Sequence, residues 1–191
     1  MNYNLKEETN EPQKIDKQNS VLFEWGEALV MSLSVLVIIF VFFVRLIGVD
    51  GLSMYPTLND RDRIFITDVS YQPQKGDVVV LTKDSFMSEP IVKRVIATEG
   101  DMIDINYDSG DVTINGEVMD ESYINERISR KNVGDMEFPQ TVPQGCIFVM
   151  GDNRNHSSDS RVSSLGMVDE RYVLGKVFIR IMPLSSFGAV G

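Results

Sequence analysis

The chain has 191 residues, a formal net charge of -10 and 43% hydrophobic residues. An acidic balance of this size argues against nucleic-acid binding, which needs clustered Lys and Arg to displace counterions. One His and one Cys exclude a Cys/His zinc cage, which needs four ligands, and an intrachain disulfide framework.

In chain order, residues 1–20 are polar with almost no large apolar side chains, which predicts a disordered tail. Residues 21–48 predict a transmembrane helix. Its centre, Ala28–Val44, is 17 consecutive residues without a charge. With Arg45 snorkelling, the stretch 28–48 is 21 residues, about 32 Å as a helix against a hydrocarbon core of about 30 Å. Trp25 suits an interfacial anchor. A buried core helix would carry a polar face. A cleaved signal peptide would be shorter, preceded by basic residues and followed by a small-residue cleavage site; the residues before this span are acidic. Lys14 and Lys17 precede it, and Arg45, Arg61 and Arg63 follow, so the positive-inside rule leaves the orientation open.

Residues 49–191 predict an independent β-rich domain. β-Branched or alternating runs bounded by turn residues occur at 62–69, 76–82, 89–101, 102–119, 145–153 and 172–183. The 102–119 run holds two strands around Asp-Ser-Gly, then an Asn-Gly turn. Residues 120–140 are polar and irregular. The pattern predicts a mainly β fold, an antiparallel sandwich or barrel-like sheet. In "SFMSEP" (85–90), Phe86 and Met87 either fold back onto the core or dip toward a membrane.

With His and Cys scarce, chemistry falls to Ser, Lys and carboxylates. Ser53 lies in the turn "GLSMYPTL" (51–58) and needs a base to become nucleophilic. His156, with Asp152 or Asp159 behind it, is one candidate base. Lys93, inside the apolar "PIVKRVIA", is another, because burial drives an ammonium toward its neutral form; alternation along a strand could equally point it outward. The loop "GDNRNHSSDSR" (151–161) is either a solvated loop or a hydrogen-bonded buttress. A calcium loop at 104–115 lacks the required Gly and Glu, since Ser109 and Asn115 stand there. Cys146 lies in a strand pattern that reads as core, where a free thiol acts as a small hydrophobe.

"SMYPTL" (53–58), "KGDVVVL" (75–81), "VKRVIATEGD" (92–101) and "GDNRNHSSDSR" follow an apolar amino-terminal segment in that order. Together they resemble the motifs of bacterial type I signal peptidases of the small Gram-positive kind, and the last fits the family's GDNRxxSxDSR. The resemblance implies a signal-peptidase-type antiparallel β-sheet catalytic domain with one amino-terminal transmembrane helix. It implies a membrane-bound serine endopeptidase that removes signal peptides from exported preproteins after small residues. Ser53 would be the nucleophile, Lys93 the general base and Ser157 the lysine-orienting residue. The Ser53 backbone N–H would serve the oxyanion. Met54, Leu58, Ile91 and Val92 match substrate-pocket positions, and Arg94, Asp152, Asp159 and Arg161 match ion-pairing ones. His156 falls at a variable position. No metal or cofactor is implied. The implied partners are preproteins, the bilayer and a nearby export translocase, with the amino terminus cytoplasmic and the catalytic domain outside. One departure is Gly51, where some members carry a Ser that helps the oxyanion, so the second donor is left open between the Gly51 backbone and water. A catalytically inactive, membrane-anchored binding or scaffold domain is the alternative reading.

Overall fold

The computed structural model describes residues 13–68, 71–129 and 134–190. The chain divides into an amino-terminal helical unit and a β unit from Phe43 onward. Helix α1 runs Gln13–Phe43. It begins directly after Pro12, a residue type favoured at a helix start, and opens with Gln and Lys, which are good helix formers. Residues 13–20, expected as part of a disordered tail, are therefore helical; residues 1–12 lie outside the described residues. The stretch Val21–Ile38 is long and apolar enough to cross a membrane, and its side chains are exposed all round. Ser32 and Ser34 donate to the carbonyls of Leu29 (2.9 Å) and Val30 (2.7 Å), so their hydroxyls are satisfied inside the helix, as a hydrocarbon environment demands.

The carboxyl-terminal limit of the helix differs from the expected 48. The helix stops at Phe43, and Arg45–Gly48 form strand β1, paired with β2 (Arg63–Thr67) from Arg45↔Ile66 to Gly48↔Arg63. Once the charged Arg45 interrupts the apolar run, the backbone of Leu46 and Ile47 gains ladder partners that an extended helix would forgo.

The remaining strands are β3 (Val78–Lys83), β4 (Met87–Thr98), β5 (Met102–Asn106), β6 (Asp111–Ile114), β7 (Glu117–Val118), β8 (Gln140–Thr141), β9 (Cys146–Met150), β10 (Val168–Asp169), β11 (Val173–Met182) and β12 (Gly188–Ala189). Among the described residues they form two antiparallel sheets. The larger has the order β1-β2-β11-β3-β4-β9-β10, with β12 added to β11. The smaller has the order β7-β6-β5-β8. Central strand β3 is apolar and buried on both faces, as a covered strand requires. Val78 and Val80 pack with Met54, Leu58, Ile64 and Val177 on one side; Val79 and Leu81 pack with Val95, Ile147 and Leu165 on the other. A third cluster joins Phe148 and Met150 of β9 to Ile103, Ile105 and Val112 of the small sheet.

The segment considered for calcium is the β5–β6 hairpin. Its Asn106 Oδ1 accepts from the N–H groups of Asp108 and Ser109 within the turn (2.9 and 3.1 Å). The 85–90 segment divides: Phe86 packs against the core, while Met87 opens β4 and is exposed. Cys146 is a free thiol at the start of β9, raised in pKa by burial.

Candidate active site

Ser53 sits in the turn linking β1 to β2. Leu58 N–H donates to the Met54 carbonyl (2.9 Å), a helical turn, so Met54 and Leu58 fall on one side, four residues apart. Both are buried in the core. They pull the turn down and leave Ser53 on its rim, half-buried. Asn153 pins the turn from the other side: its backbone N–H donates to the Ser53 carbonyl (3.0 Å), and its Nδ2 donates to the Leu52 carbonyl (3.0 Å).

Lys93 lies on β4 just before β9 begins to pair. The β4–β9 ladder starts at Arg94↔Met150, so the outer edge of β4 is unpaired from Met87 to Lys93, while β3 covers the inner edge. Lys93 Nζ lies 2.8 Å from Ser53 Oγ. The side chain is 3% exposed. Burial lowers its pKa to about 8, against the opposing carboxylate charges of Asp159 and Asp152 and with a further push from Arg161.

The Gly151–Arg161 loop is a hydrogen-bonded buttress. Arg94 holds Asp152 through two bonds (2.9 and 2.7 Å), and both are buried. Thr57 Oγ1 also donates to Asp152, tying the Ser53 turn to this pair. Arg161 holds Asp159 through two bonds of 2.8 Å, both residues buried. Burial alone would raise the Asp159 carboxyl; the hydrogen bonds and charge of Arg161 and the Gly151 N–H outweigh it and keep the group below its ordinary range. Gly151 is a close-approach position. A Cβ there would lie 2.3 Å from Ser157 Oγ and 2.4 Å from the Ser53 carbonyl oxygen. The 120–129 segment straps this loop: Arg154 pairs with Glu121, Arg94 lies 4.1 Å from the Tyr123 ring centre, and Ser129 N–H donates to Asn155.

Of the residues singled out in the sequence, Ser53 and Lys93 are brought into contact. Ser157 is buried beside them, yet its Oγ packs against Gly151 and has no hydrogen-bond partner among the described residues. Arg94, Asp152, Asp159 and Arg161 form the two ion pairs. Met54, Ile91 and Val92 line a groove of about 510 Å³ that Ser53 and Lys93 also line. Leu58 lies wholly in the core and does not line that groove. His156 is exposed at the groove rim, with no hydrogen bond to Ser53 among the described residues. The Ser53 N–H makes no hydrogen bond among the described residues, whereas the Gly51 N–H donates to Asp60 Oδ1 (2.9 Å) and is already engaged. The sequence reading missed Asn153, Thr57 and Asp60. Asn153 and Thr57 lie inside quoted motifs, but their roles depend on contacts between distant segments.

A family profile described as "Signal peptidase, peptidase S26" matches residues 22–182. Signal peptidase I of Bacillus licheniformis is 36% identical over 174 residues, 86% of this chain and 90% of that protein. Signal peptidase IB of Staphylococcus aureus is 33% identical over 183 residues, 87% of this chain and 92% of that protein. A crystal structure of a signal peptidase I from Enterococcus faecalis, 29% identical, superposes with a TM-score of 0.45, covering 56% of this chain and 97% of that one. With the motifs in order and the match spanning most of its length, this chain belongs to the signal peptidase family, peptidase S26.

Proposed function

We propose that this chain is a membrane-anchored serine endopeptidase that removes amino-terminal signal peptides from exported preproteins, with Ser53 as nucleophile and Lys93 as general base. The carrying observation is the 2.8 Å approach of a buried lysine amine, its pKa lowered to about 8, to a serine hydroxyl that lines a groove. The lowering of the Lys93 pKa to about 8 corresponds to roughly 3 kcal/mol against its charged form. An inactive scaffold domain has no use for that cost.

In the proposed mechanism, neutral Lys93 takes the proton from Ser53 Oγ as the oxygen attacks the scissile carbonyl. The free Ser53 N–H faces the developing oxyanion. The Lys93 ammonium then gives its proton to the leaving amine, and the mature protein departs. The signal peptide stays esterified to Ser53. Lys93, neutral again, takes a proton from water, whose oxygen attacks the ester carbonyl. The ammonium returns the proton to Ser53 as the bond breaks. Arg94, Asp152, Asp159 and Arg161 position the two reacting side chains, and Ser157 adds an orienting hydroxyl once its side chain turns toward Lys93.

The substrate's cleavage segment is extended and pairs with the free edge of β4 at residues 91–93, passing the backbone near residues 49–53, a strand-addition mode. Val92 and Met54 make a shallow apolar floor that admits small side chains. The apolar helix anchors the enzyme with its amino terminus in the cytoplasm and the β unit outside, where preproteins leave the export translocase.

The test is cleavage of a preprotein in detergent by three variants. Ser53→Ala and Lys93→Ala are each expected to lower kcat by at least about 10³-fold, following the non-additive loss seen when nucleophile and base act as a unit. His156→Ala is expected to keep most activity. Loss in the His156 variant with retention in Lys93→Ala would overturn the assignment.

A further inference from the structure

The groove carries two carboxylates that the proposed chemistry does not use. Asp50 follows β1 and precedes the Ser53 turn; Glu89 lies on the unpaired part of β4. Both line the same groove as Ser53 and Lys93, Asp50 from the β1–β2 connection and Glu89 from β4, and both are exposed. Among the described residues neither one takes part in an ion pair or a side-chain hydrogen bond, unlike Asp60, Asp62, Asp77 and Asp101, which are all engaged. The groove's other ionisable residues are Lys93, which is buried, and His156 at the rim. The β3–β4 register shifts between the pairs Leu81↔Ile91 and Lys83↔Met87, so residues 88–90 bulge out of the ladder. Bulges re-aim side chains next to sites, and Pro90 has no N–H to return to that ladder.

We infer that Asp50 and Glu89 are specificity-determining residues that favour a basic side chain, and disfavour an acidic one, in the extended segment presented for cleavage. The inference rests on the reading of this groove as the peptide-binding cleft. An extended chain in this groove passes both carboxylates, and among the described residues Lys93, in contact with Ser53, is the one Lys or Arg lining it. Glu89 is four residues from Lys93, about 13 Å along a strand, and Asp50 is three from Ser53, at most about 10 Å. The charge preference therefore falls about three to four substrate residues from the scissile bond. Exposed charges act through water, so the discrimination at a single position is modest, roughly threefold to tenfold in kcat/KM at low salt.

The experiment uses full-length enzyme in detergent and peptides that share one cleavable sequence. Lys, Gln or Glu is placed singly at each of about six positions next to the cut, so that the three to four residues spanned from Ser53 and Lys93 to the two carboxylates are covered. The expected order is Lys, then Gln, then Glu, confined to one or two positions and erased near 1 M salt, where the screening length is about 3 Å. Asp50→Asn with Glu89→Gln is expected to level the three peptides relative to one another, whatever its absolute rate. Equal cleavage of the Lys and Glu peptides by wild-type enzyme, or a preference that survives in the double variant, would overturn the inference. Failure of wild-type enzyme to cut the Gln peptides at all would instead overturn the reading of the cleft.

Discussion

At the scale of single residues, the proposed mechanism turns on the protonation state of Lys93. The base works when neutral, and its pKa is lowered to about 8 because burial disfavours the ammonium. Below that value the neutral fraction falls about tenfold per pH unit; above it the fraction saturates. The kcat/KM for a neutral peptide is therefore expected to rise steeply from pH 6 to pH 8 and to level beyond. A profile flat down to pH 5 would exclude a lysine base. Half of this was legible in the sequence. "PIVKRVIA" is apolar enough to bury its lysine, and the motifs placed Ser53 with it. The spent Gly51 N–H and the double grip of Asn153 were not legible, because each joins segments whose closeness only the fold creates.

At the scale of elements, the site depends on the Gly151–Arg161 loop being held rigidly against β4 and the Ser53 turn. Arg94 is 2% exposed and Asp152 is fully buried. Asp152→Asn leaves the guanidinium without a counter-charge, which is expected to cost roughly 3–5 kcal/mol and to lower Tm by about 10 °C. Asp111→Asn, which breaks the exposed pair with Arg127, is expected to change stability by less than about 1 kcal/mol. Thermal unfolding of the two variants side by side checks the contrast; similar losses would mean that Asp152 is not a buttress. The strands were read from the sequence because β-branched alternation marks them. β1 was not, because four residues at the end of an apolar run carry no period, and only the partner strand β2 decides between helix and strand. The 120–129 strap escaped for a related reason: its contacts are polar and long-range, so composition marks it only as irregular.

At the scale of the molecule, charge and anchor divide the work. Residues 1–48 carry four Lys/Arg and six Asp/Glu, and residues 49–191 carry 14 and 22. A β unit with that acidic excess is repelled by anionic headgroups, so its hold on a bilayer falls to the apolar helix. The three core clusters all lie within the β unit. A chain beginning at Phe43 is therefore expected to cut a soluble peptide at close to the full-length rate, while processing of a preprotein held in anionic vesicles falls by at least about tenfold, because the two reactants no longer share a surface. Loss of peptide cleavage as well would show that the helix serves the fold of the site.

The 2.8 Å spacing of Ser53 Oγ and Lys93 Nζ also matters for inhibition. An imidazole base gives only labile acyl adducts, whereas an amine forms a lasting amide. This groove is thus lined by two groups able to form durable covalent bonds, 2.8 Å apart and within reach of a single small molecule. A compound with two electrophilic centres two or three bonds apart would bridge them, sealing the nucleophile and removing its base in one event.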